Sequence, residues 1–353
     1  MKNECYCVTE HQAPLQKIVQ DLPELEGDEV LLKVRASGVC HSDLHFWEGG
    51  YDLGDNQEMN LSDRGVKLPL TMGHEIVGEL VALGPDAQGL ELGESYLVYP
   101  WLGCGTCETC AKDQENLCPN APRALGIFTP GGYAQYVVVP RAKYCLTLGD
   151  LDPAEAAPLA CSGVTTYSAL KKFGDDIRDT PVVILGAGGL GHMALRVIRA
   201  LGGKGAVFVD LDEAKRHAVL EAGALAAIDG NAPDADEQIK AATGGGALLV
   251  LDLVGAEATI NLGLAAARKG VRIVVVGLFG GQLKIPTVYF PIRAMAVIGS
   301  YVGNLNELSE LLELAKSGKL SLAPVTRRPL QDANDALMDL KDGKVIGRVV
   351  LTP

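Results

Sequence analysis

The chain has 353 residues, 48% of them hydrophobic, which suits two domains of ordinary size with sizeable cores. A net charge of −13 argues against a nucleic-acid or anionic-membrane partner. No apolar run approaches the roughly 18 residues that a membrane span needs. The stretch from Met1 to Cys7 lacks a signal-peptide apolar core, so a cytoplasmic location is expected. There the nine cysteines stay mostly reduced, and clustered ones point to metal rather than to disulfides.

Residues 1–37 read as short strands, with 29–36 β-rich behind a Gly27-Asp28 turn. The stretch Gly38-Val39-Cys40-His41-Ser42-Asp43-Leu44-His45 then sets a thiol, two imidazoles, a hydroxyl and a carboxylate close together. Residues 48–66 are dense in Gly, Asp and Asn and read as loop, either a solvated excursion or a flap near Cys40. In 70–78, His74 and Glu75 interrupt an apolar run. A lone His there is ordinarily a hydrogen-bonded core residue. Beside Cys40 it becomes a second candidate ligand, and Glu75 is a costly buried charge unless it faces a cation.

Cys104, Cys107, Cys110 and Cys118 put four thiols into fifteen residues, the pattern of a closed tetrahedral zinc site. Such a site has no open position and is structural. It would pin a loop with few apolar residues to fold on. A strand at 133–139 follows, then a helical reach from Asp152 to Cys161. Cys161 alone is packing, but as a third ligand it would complete a Cys₂His set with one corner free. Alcohol dehydrogenase is a known instance of that set.

From about residue 180, strands and helices alternate. A buried strand at 182–185 runs into Gly186-Ala187-Gly188-Gly189-Leu190-Gly191 and a helix through Ala200, and a second strand at 206–209 ends in Asp210, nineteen residues past Gly191. This is a dinucleotide fingerprint in its proper strand–turn–helix setting. The pyrophosphate would face the helix N-terminus. Further strands at 248–251, 271–276 and 296–299, with helix notably at 256–269, make a doubly wound parallel sheet. The tail carries amphipathic helices from Leu305 and a strand at 344–351.

On these motifs the chain resembles the zinc-dependent medium-chain alcohol dehydrogenases over nearly its whole length, and its 276–280 and 299–304 segments look like the tetrameric microbial branch. The resemblance implies an α/β protein with a GroES-like β-rich catalytic domain, 1–162 and 297–353, around a Rossmann NAD-binding domain, 163–296. It implies two zinc ions per chain. The catalytic one would lie on Cys40, His74 and Cys161, with Glu75 behind or alternately on the metal and Asp43 accepting from His74. The structural one would lie on Cys104, Cys107, Cys110 and Cys118. Ser42 and His45 match a proton relay. Thr165, Val276 and Leu278 match nicotinamide contacts, Arg348 a pyrophosphate contact and Lys215 an adenosine-ribose contact. Gly186, Gly188, Gly189, Leu190 and Gly191 form the phosphate turn. Asp210 favours NAD, because a 2′-phosphate carries about −1.5 to −2 charge and a like-charge pair at about 4 Å costs roughly 4 kcal/mol at an effective dielectric near 20.

The expected reaction is reversible oxidation of primary or secondary alcohols to aldehydes or ketones. Trp47, Trp101, Ala124 and Ile127 suggest an apolar pocket with added room, favouring medium-chain, cyclic or benzylic alcohols. A polyol or other secondary-alcohol dehydrogenase of the same fold is the alternative, and a non-catalytic relative is the rival outside enzymes. Segment 50–66 is longer than in the short-loop members, which bears on substrate size and not on the reaction.

Overall fold

The computed structural model describes residues 2–120 and 123–353. Its organising strand is Val30–Val39, the middle of a seven-stranded sheet. Six of its ten residues are apolar and one face is buried, so it can sit between partners on both edges. It pairs antiparallel with Glu75–Leu83, with the C-terminal strand Arg348–Thr352 and with Tyr136–Val139. The register sets Gly38 opposite Glu75 and Val39 opposite Val349. Cys40, one residue past the strand, therefore emerges beside His74 and Arg348, although the three lie far apart along the chain. The ends of the polypeptide thus meet in one sheet.

The second sheet has six strands, all parallel, in the order Ala226–Asp229, Ala206–Asp210, Val182–Leu185, Ala247–Asp252, Ala267–Val275, Ala296–Gly299. This is the 3-2-1-4-5-6 order of a doubly wound nucleotide fold. The order reverses between Val182–Leu185 and Ala247–Asp252, and the glycine turn leaves the sheet at that switch point. Val182–Leu185 is buried throughout, as a parallel strand covered on both faces requires. Among the described residues, no helix is long and apolar enough to cross a membrane.

Several expectations need correction. Ala296–Gly299 is the sixth strand of the parallel sheet, so residues 297–299 sit with the nucleotide fold rather than with the catalytic part. Residues 50–60 are not loop but a hairpin, Gly50–Gly54 against Gln57–Asn60. Its turn residues Asp55 and Asn56 take φ of 51° and 60°, the left-handed pair of a type I′ turn. Polar composition hid that signal. The strand Val325–Pro329, which runs parallel to Arg348–Thr352, went unread because its Arg and Pro residues lack strand alternation. The helix before Ala267–Val275 ends at Ala265, and the last strand begins at Arg348 rather than at 344.

The approach to His74 is packed backbone on backbone. Gly73 has φ +92°, and a Cβ on Gly131 would lie 2.1 Å from the Gly73 carbonyl oxygen. Overpacking of this kind costs about 1–3 kcal/mol or more. Gly131→Ala should lower stability by at least about 2 kcal/mol in a denaturant titration, and a variant as stable as the parent would contradict this packing.

Candidate active site and metal centres

The helix His41–Glu48 begins at Cys40, and Asp43 closes its first turn by accepting the Cys40 N–H at 2.9 Å. The same carboxylate accepts His74 Nδ1–H at 3.0 Å and the Tyr133 hydroxyl at 3.3 Å. Asp43 and His74 have no exposed surface, and Cys40 and Cys161 are each 5% exposed. A buried carboxylate is tolerable because these donors replace its water. The bond to Nδ1 aims His74 Nε2 the other way, toward the Cys40 sulfur, and among the described residues that buried atom makes no hydrogen bond of ordinary geometry. Cys161, at the start of the helix Ser162–Lys171, brings its sulfur to 3.9 Å from Cys40 Sγ. The donor atoms of Cys40, His74 and Cys161 all lie within 4.8 Å of one another. Two thiols and an imidazole whose free nitrogen has no partner suit zinc.

The charges agree with that reading. Cys161's thiol hydrogen bond, helped by the positive charges of Arg348 and His74, holds the Cys40 thiol well below its ordinary range against burial. Burial opposes protonation of His74, but the Asp43 carboxylate outweighs it and takes the ring up to about 10. A metal at Nε2 must displace that proton, so its hold weakens as pH falls.

Glu75 stands apart from the donor set. Its Oε1 takes the Arg348 guanidinium and the Ser162 N–H, and its Oε2 is buried with no hydrogen-bond partner among the described residues. Gly38 makes this possible, since a Cβ there would lie 2.0 Å from Glu75 Oε2. Arg348 also lies against the phosphate turn, where a Cβ on Gly189 would meet its Cδ at 2.7 Å. One arginine side chain therefore ties Glu75, next to the cysteine–histidine cluster, to the glycine turn.

In that turn Gly186 has φ +105°, and a Cβ on Gly191 would be 2.5 Å from the Gly186 carbonyl, whereas the space over Gly188 is open. The helix Gly189–Ala200 starts there, with Leu190 packed against the core. Asp210 accepts the Ala187 N–H at 2.7 Å and the Asp212 N–H at 2.9 Å, so it shapes the turn as well as charging it. Arg216, the nearby cation, is committed to the carbonyls of Asp210 and Leu211 and to Asp229. Lys215 is half-buried on the next helix, its N–H capped by Asp212. Thr165 Oγ1 is buried near the Cys161 sulfur with no other partner among the described residues, and Val276 and Leu278 follow the strand Ala267–Val275, Leu278 about half exposed.

Ser42 and His45 share one helix face a turn apart, with no direct hydrogen bond between them among the described residues. Burial lowers the His45 pKa, and Glu48, with its Oε2 3.6 Å from Nδ1, opposes that shift. The Tyr51 ring, from the hairpin, lies 5.2 Å from the His45 ring. Trp101 sits 5.6 Å from the His74 ring and 6.0 Å from Tyr301. Ala124 pairs with Trp101 across a short ladder, and Ile127 is buried just beyond. Trp47 does not join them: its indole donates to the Ala13 carbonyl at 2.7 Å and Lys341 covers its ring, so it packs the helix against the N-terminal segment and the tail. Sequence reading missed Tyr133, Tyr51 and Tyr301. Only the general need of a buried phenol for a partner hinted at Tyr133.

The four-Cys lobe closes on itself. Its sulfurs lie within 4.8 Å of one another, with close pairs at 3.5, 3.8 and 3.9 Å. A Cβ on Gly103 would strike Cys110 Sγ at 2.6 Å. The Thr106 hydroxyl and N–H, with Asn120, hold Cys104 at about 5, ready to bind as thiolate.

Comparison with known proteins bears on the whole chain. Residues 26–150 match the family model for the alcohol dehydrogenase GroES-like domain, and residues 189–317 match that for zinc-binding dehydrogenases. An NAD-dependent alcohol dehydrogenase of Sulfurisphaera tokodaii is 40% identical over 94% of each chain. One from Saccharolobus solfataricus is 38% identical over the same share. The crystal structure of the Aeropyrum pernix alcohol dehydrogenase superposes with a TM-score of 0.90 at 32% identity, covering 99% of this chain and 100% of that one.

Asp43→Asn should weaken zinc at the Cys40 centre about 10–100-fold in chelator competition and leave the four-Cys zinc in place. Cys104→Ala should instead remove the other ion and lower Tm. Equal loss of both ions in Asp43→Asn would contradict the division of roles.

Proposed function

The chain belongs to the zinc-binding dehydrogenases that carry an alcohol dehydrogenase GroES-like domain, and on that premise we propose that it catalyses reversible NAD-linked oxidation of alcohols to aldehydes or ketones. The observation that carries this reading is the meeting of Cys40, His74 and Cys161 around an unpartnered imidazole nitrogen. We assign two zinc ions per chain, one held by those three residues and one by Cys104, Cys107, Cys110 and Cys118. Bound in the first set, zinc supplies Lewis acidity of the kind that takes a hydroxyl pKa from about 15.7 toward about 7, and NAD supplies the hydride acceptor.

The chain's own residues do the rest. Asp43 keeps the His74 ring oriented through Nδ1. Glu75, drawn off by Arg348, stays clear of the donor set and leaves a corner for substrate. Ser42 stands at the substrate end of the helix face, and His45 one turn on takes the departing proton toward solvent past Glu48. General acid–base help of this kind is worth about 10²–10⁴ in rate. Trp101, with Tyr51 and Tyr301 toward the mouth, excludes water and orients an apolar substrate. The open space over Gly188 and the start of the helix Gly189–Ala200 receive the pyrophosphate. Asp210 disfavours a 2′-phosphate, and its neighbour Arg216 is already engaged. Small Ala124 beside Trp101 leaves room, so medium-chain, cyclic or benzylic alcohols are preferred over ethanol. A polyol would find few polar partners among these rings. A cytoplasmic homotetramer completes the reading.

A panel of alcohols and polyols assayed with NAD and NADP tests this. The highest kcat/KM should fall on a benzylic, cyclic or medium-chain alcohol with NAD, whereas a maximum on ethanol or a polyol, or equal use of NADP, would overturn the corresponding assignment.

His45 gives a pH test. Its folded pKa lies below the ordinary 6.5, and Glu48 holds it from falling further. Glu48→Gln should therefore keep the ring neutral to lower pH and move the acid limb of kcat downward. His45→Ala should slow oxidation most at low pH, where hydroxide cannot substitute. A pH-independent loss in His45→Ala would remove the relay.

A further inference from the structure

Six of the nine cysteines belong to the two sulfur clusters described above, and Cys145 is buried in the core. The remaining two, Cys5 and Cys7, stand on the same face of the strand Lys2–Val8, 0% and 4% exposed, with their sulfurs 3.6 Å apart. That spacing matches the close sulfur pairs of the four-Cys lobe, at 3.5 to 3.9 Å, and the Cys40–Cys161 pair at 3.9 Å. Oxygen donors flank both thiols. Thr71 Oγ1 lies 3.3 Å from Cys7 Sγ, and the Ile18 carbonyl oxygen lies 3.4 Å from Cys5 Sγ.

We propose that Cys5 and Cys7 form a third metal site, for a soft, thiophilic cation of the Cu(I) class, with Thr71 and the Ile18 carbonyl at its edge. The two sulfurs, 3.6 Å apart, are close enough for one ion to touch both, and rotation of a single Cβ–Sγ arm widens the angle between them without moving the strand. A pair of thiolates with no imidazole or carboxylate selects soft ions over magnesium, calcium or manganese. A cavity of about 440 Å³ lies next to the strand, and its wall includes Thr71, which pairs with Cys7, and Ala134, which bridges to Cys5, although neither cysteine lines it.

A disulfide fits less well. Alternate residues of an extended strand lie about 6.6–6.8 Å apart, at the upper limit of disulfide spans. This strand is also laddered on both edges, and Tyr6 between the cysteines donates to the Tyr133 carbonyl at 2.8 Å. Closing the bond would buckle a strand that supports Tyr133, and through it Asp43. A cation can bind both sulfurs with the strand still extended.

The test uses the zinc-loaded protein and buffered Cu(I), with copper and zinc counted per chain. One copper should bind with no loss of zinc, and a Cys5→Ser/Cys7→Ser variant should bind none while keeping its zinc. Copper uptake matched by zinc release, or undiminished in the double variant, would overturn the site. X-ray absorption at the copper edge of the unmutated protein decides the matter even if the variant fails to fold. Two sulfur neighbours without imidazole support the site, whereas three or more sulfurs, or an imidazole, would put the copper in one of the zinc positions and refute it.

Discussion

The structure depends on one buried carboxylate. Asp43 has no exposed surface, and an uncompensated charge at its depth would cost several kcal/mol. Three donors from three separate parts of the chain resolve this: the Cys40 N–H, the His74 ring and the Tyr133 hydroxyl. Satisfying that charge caps a helix, fixes Cys40 and leaves His74 with only Nε2 to offer. The meeting of Cys40 and His74 follows from a requirement of folding, because any arrangement that separates these donors leaves the carboxylate unpaired.

The sheet supplies the convergence that the carboxylate then locks. Gly38 opposite Glu75 and Val39 opposite Val349 bring Cys40, His74 and Arg348 to one level. A one-residue slip would turn every side chain to the other face. The Arg348–Glu75 pair is also buried, and breaking such a pair is far more costly than its net contribution suggests. Since Arg348 lies against Gly189 as well, one side chain ties Glu75, beside the cysteine–histidine cluster, to the glycine turn. The C-terminal strand, far from the motifs in sequence, is therefore part of the candidate site.

Much of this was legible in the residues. The four-Cys spacing, the glycine turn between strand and helix, and the order of Cys40, His74 and Cys161 led to both sulfur clusters and the nucleotide fold, because those features are set by local geometry or by a family pattern. What stayed hidden depends on long-range register or on turn conformation. Tyr133 looks like any strand residue until it meets Asp43. The hairpin at 50–60 reads as polar loop unless Asp55-Asn56 is recognised as a left-handed pair. Trp47 lies two positions past His45, yet the helix turns it to the opposite side, toward Ala13 and Lys341. Glu75 sits next to His74 in sequence, but strand alternation and Arg348 carry its carboxylate away from the donors.

The most direct test of the central claim is a crystal structure of the zinc-loaded protein with NAD, with the metals located by anomalous scattering. A peak within bonding distance of Cys40 Sγ, His74 Nε2 and Cys161 Sγ is expected. Its fourth corner should hold solvent or substrate, and Glu75 should remain on Arg348. No peak at that position, or Glu75 fixed as a permanent fourth ligand in both the free and NAD-bound protein, would contradict the account.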